Sequence, residues 1–157
     1  MKILIYGYGN PGRQDDGLGP KLIELFEAEK KENNDFQVVD LDSNYQLNIE
    51  DADNIKDYDL IIFADASKTC NEPFEMNEIY PSKEIQFTTH SISPQSVLAI
   101  CDDIHHKQPK TYLLEMRGYE WEMLIESMSG KAEQNLNDAF KELKGFIRKL
   151  LKKAHAK

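Results

Sequence analysis

The stretch MKILIYGYGNPGRQDDGLGP, residues 1–20, decides how the rest of the chain is read. Ile3 to Tyr6 form a short continuous apolar run, as in a strand covered on both faces. Gly7, Gly9 and Gly12 follow as a tight turn with close backbone packing. Asp15 and Asp16 then stand where a helix should begin. Aspartate suits that place, because its oxygens accept unpaired N–H groups and its charge suits the positive dipole end. One aspartate meets the need. Asp15 is therefore read as the cap of the first helix, and Asp16 as a candidate for chemistry.

Further strand-like runs lie at 36–41, 60–64, 85–89 and 111–116, with a weaker one at 76–80; the first runs over 2–6. Between them the spacing predicts helices over 21–31, from Pro94 onward with Ser93 as N-cap, and over 132–154. Alternating strands and helices imply an α/β three-layer sandwich. Its central, mostly parallel twisted sheet has about five strands and helices on both faces. All 157 residues are expected to form a single domain, 1–157.

The formal net charge of -9 opposes binding to phosphate backbones, so nucleic acid is not an expected partner. No apolar run is long enough to cross a bilayer, and residues 1–20 lack a leader pattern, so neither a membrane nor export is expected. A cytoplasmic location follows, in which Cys70 and Cys101 are two free thiols. Cys101 falls on the apolar face of its helix and reads as core.

Gly7, Gly9 and Gly12 formally match the dinucleotide fingerprint, with Asp40 or Asp42 as the ribose-binding acid. Local chemistry opposes that reading. Pro11 removes an N–H from the turn, and Asp15 and Asp16 put negative charge where a pyrophosphate needs N–H groups. No organic cofactor is expected.

In parallel sheets, sites form at the C-terminal ends of strands. Asp16 follows the first strand, Asp65 ends DLIIFAD, and His90 ends IQFTTH. Singly, Asp65 reads as a strand-end turn residue and His90 as a turn histidine. Together the three make an oxygen–oxygen–nitrogen site for a divalent metal, with positions open for water or substrate. Cys70 paired with His90 as nucleophile and base is a weaker alternative. His105 and His106 end a helix and suit its dipole. The lysines and arginine of the last helix read as its solvated face.

GYGNPGRQDDGLG, LIIFADAS, FTTHSISPQSVLAI and TYLLEMRGYEW together resemble the hydrogenase maturation protease family, over nearly the whole chain. The Asp-Asp-Gly-x-Gly block is the most specific of these. The resemblance implies an aspartyl-class endopeptidase that removes a C-terminal extension from the large-subunit precursor of a nickel–iron hydrogenase. It implies that Asp16, Asp65 and His90 are the catalytic and metal-binding residues, recognising nickel carried by the precursor. The chain departs from the pattern at Pro11, Gly12, Arg13 and Gln14, and in the polar loop after Asp65. The opening GYGNPG is also similar to that of peptidyl-tRNA hydrolases, but RQDDGLG stands where their Thr-Arg-His-Asn block would be. A non-catalytic metal- or precursor-binding chaperone on the same scaffold is the alternative of another class.

Overall fold

The computed structural model describes residues 1–82 and 92–156. Five strands form one sheet: β1 Ile3–Tyr8, β2 Val39–Asn44, β3 Leu60–Ser67, β4 Phe74–Ile79 and β5 Lys110–Arg117. Their order is β2-β1-β3-β5-β4. β1 pairs in parallel with β2 and β3, β3 pairs in parallel with β5, and β4 closes one edge antiparallel to β5. The helices are α1 Leu18–Glu32, α2 Asp51–Asn54, α3 Pro94–His105 and α4 Gly130–His155.

Side-chain alternation along the strands divides the core into two layers. Ile3 and Ile5 of β1, with Leu60 and Ile62 of β3, face Leu22 and Phe26 of α1 and Leu136, Leu143 and Ile147 of α4. Leu4, Tyr6, Ile61 and Phe63 face the opposite way, against Ala52 of α2 and Val97, Leu98 and Cys101 of α3. Phe26 meets Phe36 and Phe140 edge to face, at centroid distances of 5.9 and 4.9 Å. The α/β sandwich read from the sequence is therefore the observed fold.

Several boundaries differ from those read along the chain. β2 begins at Val39, because Phe36 sits in a 3-10 turn over Asn34–Phe36 and fills the core beside Phe26. α1 begins at Leu18, three residues before the expected start, and is preceded by a 3-10 turn over Gln14–Gly17. The Ser93 cap forms as expected, its Oγ accepting the Ser96 N–H at 3.1 Å. The weak run at 76–80 is β4, an edge strand. The strand expected at 85–89 and His90 lie outside the described residues.

Candidate functional site

Asp65 ends a column of alternating residues. Ile61 and Phe63 of β3 pack under α3, and Asp65 takes the next position on that face, where the apolar layer gives way to polar groups. Its in-register neighbour on β5 is Glu115, whose neighbour on β4 is Glu75. On the other side, Tyr8 follows Tyr6 along β1, and its hydroxyl donates to the Asp65 carboxylate.

Asp16 arrives by way of the glycine turn. It lies in the 3-10 turn Gln14–Gly17, and its Oδ2 accepts the Asn10 N–H at 2.8 Å. Asn10 also organises the turn itself, its Oδ1 accepting the Gly12 N–H at 2.9 Å. Gly9 has φ 143°, and a Cβ there would run into the carbonyl of Asp16. A Cβ on Gly19 would stand 2.5 Å from the Tyr8 carbonyl oxygen and 2.6 Å from that of Ala64. The glycines thus let the start of α1 lie directly on β1 and β3. That contact seats Asp16 at the C-terminal edge of the sheet.

Asp65 feels the charge of Asp16. Burial pushes the Asp65 carboxyl up to about 7, the Ala66 N–H opposes the rise, and the charge of Asp16 adds to it. The Tyr8 hydroxyl pulls the other way, and Glu115 adds a further rise. The Tyr8 phenol is itself held well above its ordinary value, first by burial and then by Asp65. A cation would relax this arrangement, since nearby carboxylates resist ionising together. Asp65 thus lies within the field of Asp16, and His90 lies outside the described residues. Among the described residues, no group of three or more His, Cys, Asp or Glu is arranged to hold a metal ion.

Asp15 corrects the sequence reading. It does not cap α1: its Oδ2 accepts the Tyr119 N–H at 2.7 Å, the Glu120 N–H at 2.9 Å and the Ser129 hydroxyl at 2.7 Å. Its Oδ1 accepts the Ser129 N–H at 2.8 Å. Ser129 is the N-cap of α4, so this fully buried carboxylate ties the first turn to the last helix. Burial favours its protonation. The N–H groups of Ser129, Tyr119 and Glu120 and the Ser129 hydroxyl outweigh that, leaving the carboxyl below its ordinary range.

Of the remaining candidates, Cys70 borders the site through Glu115, and Cys101 and His105 lie away from it. Cys70 is buried, its thiol donates to the Glu115 carbonyl at 3.6 Å, and burial pushes the thiol up, which opposes the thiolate a nucleophile needs. Cys101 is core, as read. His105 lies 3.2 Å from Asp53 at the far end of α3, where His106 takes the left-handed position that ends the helix. Tyr8, Asn10 and Glu115 were missed along the chain. Strand register is the signal that finds Glu115, which it sets beside Asp65, and the alternation along β1 that puts Tyr8 two residues after Tyr6 is the signal for Tyr8.

No protein-family model matches this sequence, and no curated protein matches it. Solved structures do. The hydrogenase maturating endopeptidase HybD from E. coli superposes with a TM-score of 0.72 at 18% identity, over 95% of this chain and 93% of that one. The [NiFe] hydrogenase maturation protease HycI from Thermococcus kodakarensis gives 0.71 at 20% identity, over 94% and 92%. The endopeptidase HycI from E. coli gives 0.66 at 16% identity, over 93% and 91%. These likenesses span more than nine-tenths of the chain, and this chain has the fold of the hydrogenase maturation endopeptidases.

Proposed function

We propose that this protein is an endopeptidase that removes a C-terminal extension from the large-subunit precursor of a nickel–iron hydrogenase after nickel insertion. What supports the reading is a fold shared with solved maturation endopeptidases, whose sheet carries Asp65 within the field of the Asp16 charge. Asp16, Asp65 and His90 are the residues proposed to grip the precursor's nickel, which belongs to the substrate. Oxygen and imidazole donors suit such an ion, and its charge offsets the repulsion between the two carboxylates. Holding the ion there fixes the adjacent peptide bond, polarises its carbonyl and orients water for attack. Tyr8 fixes the Asp65 carboxylate through its hydroxyl, and Asn10 fixes Asp16 through its backbone N–H.

The test is incubation with a nickel-loaded precursor and intact-mass measurement of the product. Loss of a C-terminal segment, abolished in Asp16→Asn and Asp65→Asn, supports the peptidase. Stable binding with no mass loss supports a chaperone instead and overturns the proposal.

A further inference from the structure

The loop between β5 and α4, residues 118–129, displays a feature that neither the core nor the carboxylate pair requires. Leu124 is 93% exposed and has φ 63°, and Met123 beside it is 61% exposed. Leucine is disfavoured on both counts, since its side chain gains by burial and its Cβ crowds a left-handed backbone. Isolated outliers of this kind collect at functional sites.

The tip is not loose. On one side, the Glu122 N–H donates to Gln14 Oε1 at 3.0 Å and Arg13 Nε donates to the Trp121 carbonyl at 2.9 Å. On the other, the Gln14 N–H donates to the Ile125 carbonyl at 2.9 Å and the Ile125 N–H donates to the Gly12 carbonyl at 3.0 Å. Gln14 is itself left-handed, with φ 50°. Residues 123 and 124 are therefore pushed outward between two pinned neighbours, and the pins belong to the segment that carries Asp16.

Charge says what the tip suits. Glu120, Glu122 and Glu126 are exposed around it. A hollow of about 430 Å³, lined by Gln14, Tyr119, Glu120, Trp121 and Glu122, opens at its base. Carboxylates there oppose an anionic lipid surface and complement a basic protein surface.

We propose that Met123 and Leu124 are a docking tip for the protein substrate, entering an apolar pocket on it whose rim is basic. This assignment rests on the endopeptidase reading above. Because the tip and Asp16 share one hydrogen-bonded frame, docking sets the distance from the partner's surface to the Asp16–Asp65 edge.

Leu124→Gly tests it, since glycine accepts the backbone conformation and deletes the apolar contact. The expected result is an unchanged or higher melting temperature with KM for the nickel-loaded precursor raised about tenfold and kcat nearly unchanged, as for loss of one interface anchor. Combined Glu120→Lys and Glu122→Lys is expected to weaken precursor binding and to reduce its dependence on salt. An unchanged KM in Leu124→Gly overturns the assignment. So does a wild-type dimer that Leu124→Gly dissolves without changing KM, because the tip is then a contact between copies. Wild type that binds the precursor through Leu124 yet leaves its mass intact overturns the peptidase and retains the docking tip. Wild type that neither binds nor cuts it overturns both.

Discussion

The carboxylate of Asp15 takes both the N–H and the hydroxyl of Ser129, a residue 114 positions further along the chain, at 2.8 and 2.7 Å. Through this pair the 3-10 turn that carries Asp16 is bolted to the cap of α4. A carboxylate at that helix start is further favoured by the dipole. Asp15 is thus structural, and the neighbouring Asp16, the residue proposed for chemistry, sits on the turn that it ties down.

Asp15→Ala is expected to cost more than a lost helix cap. It leaves the N–H groups of Tyr119, Glu120 and Ser129 without their acceptor in a partly buried setting. At about 1–3 kcal/mol for each orphaned buried group, a total of about 3 kcal/mol or more is expected. Urea unfolding of the variant beside wild type checks it. The loss is expected to lower cleavage as well, by loosening the turn beneath Asp16.

Acid should act on the same bond set. The folded Asp15 carboxyl lies below its ordinary range, so its contribution is fully present above the unfolded value and is lost as pH falls through the folded one. Asp15→Asn is expected to remove this share of the acid destabilisation. Melting temperatures of both proteins across the carboxylate range measure it; parallel curves would refute the assignment.

Asp65 runs in the opposite direction. Its folded value, about 7, lies above the ordinary carboxylate range, so the folded state holds the proton more tightly than the unfolded state. Stability from this group is complete at low pH and is lost as pH rises toward about 7. Asp65→Asn is expected to stabilise the metal-free protein at neutral pH, flatten that slope and abolish processing. Thermal unfolding with and without a divalent cation supplies the contrast.

Asp16→Asn is expected to leave the fold intact, because its Oδ1 can still accept the Asn10 N–H. Processing should fall by at least about a hundredfold, the scale on which a group acting on reacting atoms is felt. The Asp65 carboxyl should move down once the neighbouring charge is gone. NMR titration of Asp65 in both proteins reads that shift directly.

Gly9→Ala tests the seat of Asp16. A methyl group there meets the Asp16 carbonyl, and the backbone at φ 143° excludes a side chain. A loss of about 2–4 kcal/mol is expected, together with reduced cleavage in whatever protein folds. Cys70→Ala, by contrast, is expected to retain cleavage within about threefold, since the thiol is buried and held protonated.

Much of this molecule is written locally. The apolar runs of β1 and β3, the Ser93–Pro94 helix start and the amphipathic repeat of α4 depend on residues a few positions apart, so each could be read along the chain. Asp65 was legible as the first charged residue after the apolar run, although β3 continues past it to Ser67, paired with Arg117. Asp15 was not legible, because its partners lie 104 to 114 residues away and exist only once the loop after β5 returns. Before that return, capping α1 is the best use of an aspartate at a helix start. The shift of β2 has a similar origin, since Phe36 leaves the strand to meet Phe26 across the core. The exposed left-handed Leu124 is decided later still, by pins to Gln14 and Gly12 on either side of it. Periodicity and capping act between neighbours and so determine the elements. Hydrogen bonds across more than a hundred residues depend on where those elements pack, and that packing decided that Asp15 ties the first turn to α4 instead of capping α1.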